Sequence, residues 1–280
     1  MRLGISMWSF ISLFHKGNFD IIDFIRYAKK NNYAGVEILD YFWSSDKNKM
    51  KQEIQIVNQL LQYYNLPIIS YSIGNNWCKT EPKERKKVAE YITTQINIAK
   101  QLGAKVMRVF GGSEIPEITF EKKAQWIIEG FNSVLPYAEK NNITFAMENH
   151  GVVTGKIKYI KRILAGIKSK NFKLNFDTGN FAISDEDPYE AVKEFAKSLS
   201  LVHIKDIKEV HNKKEAKFTT PSGKMFKGVP AGEGSISLDK ILKFLNDNYK
   251  GYFSLEYEGK EDPYVGIEKS KKFISKCLGE

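Results

Sequence analysis

The chain has only two cysteines in 280 residues, Cys78 and Cys277. They give no disulfide framework and no Cys-x-x-Cys zinc motif, so a reduced, cytoplasmic compartment is the expectation. No apolar run reaches the roughly 18 residues of a membrane span, and no membrane partner is expected. The opening Met1-Arg2-Leu3-Gly4-Ile5-Ser6 lacks a signal peptide's long apolar stretch and cleavage site, and reads directly as a strand. No glycine-rich dinucleotide turn follows it, because Ser6-Met7-Trp8-Ser9 stands there instead. Gly232-Glu233-Gly234 has no Lys-Ser/Thr pair after it, so it reads as a turn into a helix and not as a phosphate loop. Histidine is scarce too, at positions 15, 150, 203 and 211.

What is present is an ordinary globular composition, 42% hydrophobic and 27% charged, with a net charge of +10. The basic residues come as pairs such as Lys29-Lys30, Lys86-Lys87 and Lys122-Lys123, set among apolar positions at helical spacing. They read as solvated helix faces, and no nucleic-acid partner is expected. A pull toward anionic substrates such as sugar phosphates stays open.

Short apolar runs alternate with amphipathic segments from end to end. Strands are expected at residues 3–8, 34–38, 66–73, 105–110, 143–148, 172–177, 199–205 and 251–256. Helices are expected at 20–31, 49–64, from 81–82 onward, 120–140, 157–168, 188–197, 237–248 and 262–276. Pro82 suits a first helical turn, Gly103 the left-handed position after a helix, and Ser237 an N-cap. Eight strands alternating with eight helices imply parallel strands and right-handed crossovers. At this length the α/β class resolves to one (β/α)8 TIM-barrel domain over residues 1–280, with an open doubly wound sheet as the alternative. The stretch 207–234, rich in Lys, Gly and Pro and carrying Phe218, Met225 and Phe226, is expected to be a long loop acting as a partial lid.

Glu148, Asp177, His203 and Glu256 each stand where one of the last four strands should stop. In a barrel those strand ends share the active-site face. Buried strand-end carboxylates cost several kcal/mol each unless paired or metal-bound. Three hard oxygen ligands and one imidazole suit Mn²⁺ first, with Mg²⁺, Co²⁺ or Zn²⁺ as alternatives. Such an ion acts as a Lewis acid toward a carbonyl and its developing enolate.

The chain resembles the xylose isomerase-like TIM barrel superfamily, in its sugar phosphate isomerase/epimerase family, over essentially its whole length. The resemblance rests on Gly35-Val36-Glu37-Ile38, Glu148-Asn149-His150, Asp177-Thr178-Gly179-Asn180, His203-Ile204-Lys205-Asp206, Gly232-Glu233-Gly234 and Glu256. It implies that Glu148, Asp177, His203 and Glu256 hold one divalent ion. It also implies that Glu148 and Glu256 act as acid and base on opposite faces of a sugar, through an enediolate. Epimerisation or isomerisation is the leading expectation, and dehydration of a keto-sugar or inosose the alternative on the same site. Homodimers are usual in that family.

Asn180, Glu209 and Thr154 depart from the histidine, arginine and glutamate that contact sugar hydroxyls in the resembled ketose 3-epimerases. A plain ketohexose is therefore not the expected substrate. The expected substrate contacts are Trp8, Glu37, Arg108, His150, Asn180 and Lys205, with Arg108 either reaching the barrel mouth or pairing with Glu37. Tyr41, Phe42, Trp43 and Trp77 are further aromatics suited to a sugar face. An endonuclease IV-like abasic-site nuclease is a distant alternative, and four histidines cannot furnish its three-zinc site.

Overall fold

The computed structural model describes residues 1–279. Eight parallel strands close into a barrel: β1 (Arg2–Ser6), β2 (Val36–Leu39), β3 (Ile68–Ser72), β4 (Val106–Val109), β5 (Thr144–Glu148), β6 (Phe172–Asp177), β7 (Leu199–Ile204) and β11 (Tyr252–Leu255). β11 pairs with β1 on one side and β7 on the other, which seals the ring. Strands such as β2 are buried at every position, because the barrel interior covers one face and the helices the other.

The outer layer consists of α2 (Ile21–Lys30), α3 (Lys47–Tyr64), α4 (Pro82–Gln101), α5 (Phe120–Lys140), α7 (Ile157–Gly166), α9 (Pro188–Phe195), α10 (Leu238–Asn248) and α11 (Pro263–Leu278). Local chemistry sets their ends. Asp20 and Asp23 form a reciprocal capping box at α2, and Asp187 and Asp262 cap helices that begin with proline. Gly103 takes a left-handed φ of 76° after α4, as expected. Ser237 occupies the N-cap position of α10, yet its hydroxyl makes no capping bond. Three short helices not foreseen in the sequence follow β1, β5 and β6: α1 (Ile11–His15), α6 (Gly151–Thr154) and α8 (Asn180–Ile183). One turn of helix is too short for a periodic signal.

The stretch after β7 is not an irregular loop. β8 (Asp206–Val210), β9 (Phe218–Thr219) and β10 (Met225–Val229) form an antiparallel sheet in the order β8-β10-β9. Its hairpin turns at Pro221-Ser222-Gly223, with Gly223 at φ 90°. Asp206 anchors the far end: Oδ2 accepts from Gly232 N (2.7 Å) and Gly234 N (3.0 Å), and Oδ1 from Ile207 N (2.9 Å). Those bonds give the Gly-Glu-Gly turn its role. Phe273 packs where a Gly232 side chain would project, and Asp206 where one on Gly234 would. Among the described residues, no helix is long and apolar enough to cross a membrane.

Candidate metal centre and substrate cavity

The ends of β5, β6, β7 and β11 bring Glu148, Asp177, His203 and Glu256 together, none more than 8% exposed. One ligand atom each from Glu148, Asp177 and His203 lies within 4.8 Å of the other two. His203 Nδ1 is 2.7 Å from Glu256 Oε2, 3.7 Å from Glu148 Oε2 and 4.0 Å from Asp177 Oδ2.

Other atoms of Glu148, Asp177 and His203 are held by the protein. Asp177 Oδ1 accepts from Gly179 N (2.9 Å) and Asn180 N (2.8 Å), the first amides of α8. Its backbone amide donates to Asn149 Oδ1, while Asn149 Nδ2 donates back to the Asp177 carbonyl. Glu148 Oε1 accepts from Asn180 Nδ2 (3.0 Å) and Oε2 from Asn175 Nδ2 (3.3 Å). His203 Nε2–H donates to Glu37 Oε1 at 3.0 Å, and Glu37 also accepts from Ser72 and from Ser254 Oγ (2.6 Å).

What is left over points one way. Among the described residues, Asp177 Oδ2, His203 Nδ1 and Glu256 Oε2 are buried without a well-formed hydrogen bond; Lys205 Nζ lies 2.9 Å from Asp177 Oδ2, and His203 Nδ1 and Glu256 Oε2 face each other at 2.7 Å. Two carboxylates and an imidazole converging with so few partners are rare in a protein interior, and an ion is one of the few things that explains them. Three such atoms on three convergent side chains fit a divalent cation. The fully buried Glu37 behind His203 fits as well, since metal-binding imidazoles donate their other N–H to a carboxylate that fixes the ring and its tautomer.

The electrostatics agree. Burial pushes the Asp177 carboxyl up to about 7, against the pull of Lys205. Burial acts the same way on Glu256, but His203 and Lys205 outweigh it and hold that carboxyl below its ordinary range. Burial opposes a charged His203, yet Glu37 and Glu256 raise its pKa well above the usual value. A divalent ion bound by this imidazole would compete with the proton that these carboxylates favour.

A cavity of about 410 Å³ opens above the cluster, in the usual range for small-molecule sites. Trp8, Arg108, Glu148, His150, Lys205 and Glu256 all line it. Arg108 reaches Glu148 (Nε to Oε2, 3.2 Å) and not Glu37, donates to the Ile73 carbonyl and lies over the Phe110 ring. Lys205 Nζ is 2.9 Å from Asp177 Oδ2. His150 is exposed on the rim beside Phe110.

Of the remaining candidates, Glu37 lies behind His203 and the Asn180 amide holds Glu148, and neither residue lines the cavity. Glu37→Gln is expected to weaken Mn²⁺ binding about 10–100-fold in calorimetry; unchanged affinity would reject its orienting role.

The departures at Thr154 and Glu209 also find their places. The Thr154 hydroxyl donates to the Glu148 and His150 carbonyls within the turn after β5. Glu209 sits on exposed β8 and lines a separate groove. Of the further aromatics, only Tyr41 lines the cavity. Phe42 packs on Phe14, and Trp43 donates to the Tyr71 hydroxyl. Trp77 is buried against Gly130, where a Cβ would overlap its ring.

Glu258 and Asp40 were missed, and both line the cavity. Glu258 stands two residues after Glu256, and extended backbone returns alternate side chains to one face. Lys205 stands in the same relation to His203, and both spacings are legible in the sequence. Asp40 lies in a turn after β2, held by Tyr91 and the Gly74 amide, and nothing in its local sequence marks it.

Residues 17–277 match the family model described as the xylose isomerase-like TIM barrel. An inosose dehydratase of Clostridium perfringens is 27% identical over 251 residues, covering 81% of this chain and 82% of that protein. The crystal structure of a D-tagatose 3-epimerase-like protein superposes with a TM-score of 0.77 at 20% identity, over 100% of this chain and 97% of that one. The IOLI protein with a bound zinc atom gives 0.79 at 16% identity, over 100% and 98%.

Proposed function

Because the chain belongs to the xylose isomerase-like TIM barrel family, we propose that it is a divalent-metal-dependent enzyme that removes a proton next to the carbonyl of a small polyhydroxylated ketone. The observation that carries this reading is the convergence of buried Glu148, Asp177, His203 and Glu256, three of whose facing atoms lack a well-formed hydrogen bond, beside a cavity that Glu148 and Glu256 line.

Glu148, Asp177, His203 and Glu256 would hold the ion. It would supply Lewis acidity that makes a hydrogen beside a carbonyl removable at neutral pH. Mn²⁺ is the first choice for this oxygen-rich set, with Mg²⁺, Co²⁺ and Zn²⁺ as the others to compare.

The protein supplies the proton carriers. Glu148 and Glu256 come from β5 and β11, with β6 and β7 between them around the ring, so they can flank a bound ketone. One carboxylate takes the proton and the other, as its acid, returns one to the opposite face, which inverts the centre. Return to the neighbouring carbon would isomerise instead. Arg108 and the amides of Asn175 and Asn180 fix the Glu148 carboxylate, and His203 fixes that of Glu256. Trp8 and Phe110 give the cavity an apolar wall for the C–H face of a ring.

Dehydration is the second reading. It is favoured by the inosose dehydratases among the relatives, matched over about four-fifths of both chains. Loss of a β-hydroxyl after the same proton abstraction needs only an acid at the leaving oxygen, and His150 on the rim is the candidate.

The test is a panel of ketoses, keto-sugars and inososes incubated with Mn²⁺-loaded protein in D₂O. Deuterium entering next to the carbonyl of at least one member is the expected result, and the product separates the readings: an epimer or isomer, or a dehydrated diketone. A panel with no exchange and no turnover would reject the proposal.

A further inference from the structure

The cavity has two cationic side chains deep in its wall, Arg108 and Lys205, and both are already engaged by protein groups. Arg108 is held by Glu148 and the Ile73 carbonyl. Lys205 Nζ lies between Asp177 Oδ2 (2.9 Å) and Glu258 Oε1 (3.3 Å). The other oxygen of Glu258 takes a second lysine, Lys217, just before β9 of the inserted sheet. The Glu258 side chain is only 7% exposed, and four carboxylates, Asp40, Glu148, Glu256 and Glu258, face the same space.

A second observation is independent of the lysines. Barrels that bind phosphate esters often use backbone amides in the loops after the last strands. The amides of Gly232 and Gly234, in the connection between β7 and β11, are both taken by the Asp206 carboxylate. The first amides of α8 are taken by Asp177. These four backbone amides are thus already bonded to protein carboxylates.

We propose that Glu258 is a specificity-determining residue that closes this cavity to anionic substrates, so that the ketone accepted is uncharged and not a phosphate ester. It pairs with Lys205 in the cavity wall while it also holds Lys217 of the inserted sheet, and it sets a carboxylate where a phosphate would meet the Lys205 ammonium. A divalent ion at the cavity floor offsets the surplus of carboxylates over cations and leaves no positive charge for a further anion. This rests on the function proposed above and narrows its substrate class. It also turns against the expectation that net charge +10 draws sugar phosphates.

The experiment compares ketones with their monophosphate esters on the Mn²⁺-loaded protein, beginning with an inosose and its monophosphate ester. Affinities come from calorimetry, which needs no turnover, and exchange in D₂O is followed for every ketone that reacts. The wild type is expected to favour the free ketone at least tenfold. Glu258→Gln is expected to shift the ratio toward the ester tenfold or more, an effect that weakens as salt rises. A role in folding alone would not produce a gain of ester binding. Lys217→Ala, a change on the inserted sheet that leaves one Glu258 oxygen uncompensated, is expected to shift the ratio the other way and guards against a Glu258 variant that fails to fold. A wild type that prefers the ester, or ratios that neither variant moves, overturns the assignment. Preference for the ester with normal exchange would refute only the role of Glu258, whereas absence of exchange from the whole panel would refute the catalytic reading.

Discussion

Glu256→Gln and Glu148→Gln are each expected to lower the rate of exchange next to the substrate carbonyl by about 10²–10⁴-fold, the usual worth of a positioned acid or base. The amide keeps the shape of the side chain but can neither accept nor return the proton. The two substitutions should differ in what else they disturb. Glu256 Oε2 stands 2.7 Å from His203 Nδ1, beside the other candidate ligands, so Glu256→Gln should also weaken metal binding. Glu148 is already held by Arg108, Asn175 and Asn180, so its amide would turn a donor toward Arg108 or those amides. Since the two carboxylates act as one unit, the double variant should lose little more than the worse single variant. Metal content measured alongside exchange separates the two roles. Exchange within tenfold of the wild type in either variant would remove that residue from the chemistry.

Removal of the metal is expected to abolish exchange and to lower thermal stability together. The metal-free cluster holds Glu37, Glu148, Asp177 and Glu256 close together under protein cover, with an imidazole and Lys205 as partial compensation. An ion at about 100 times its dissociation constant stabilises the fold by about 2.7 kcal/mol. For a domain of this size that corresponds to a rise in Tm of about 5–10 °C. Stripping with EDTA and adding back Mn²⁺, Mg²⁺, Co²⁺ or Zn²⁺ in turn would rank the ions by both readouts. His203→Ala should lose the shift for every ion, because it removes the only imidazole of the set and frees the Glu37 carboxylate beneath it. A chain whose Tm and exchange ignore EDTA would contradict the metal centre.

The long-period features of the fold were legible before any coordinates. All eight barrel strands fall within two residues of their expected limits at most ends, and β6 falls on residues 172–177 in both readings. Buried parallel strands are continuous apolar runs, and the helices between them carry stripes at 3.6-residue spacing, so both signals are local. The ligands were legible for a related reason: a charged residue that ends a buried run stands out against its neighbours. The inserted sheet was not legible, because β8 and β10 mix charged and apolar residues without strict alternation. They pair with each other although β9 intervenes in the chain, and the Pro-Ser-Gly sequence marks only the turn between β9 and β10.

The sequence by itself determined the barrel, the four converging residues and the hard-metal character of their donors. These follow from periodicity and side-chain chemistry, which each segment carries alone. Only the tertiary structure decided what those residues face. It set Glu37 behind His203, gave the Asn180 amide to Glu148, buried Trp77 against Gly130, and brought Glu258 between Lys205 and a lysine 41 residues earlier in the chain. Whether a polar side chain is open to a substrate depends on which atoms of other strands already occupy it, and closure of the barrel fixes that for all eight strands at once.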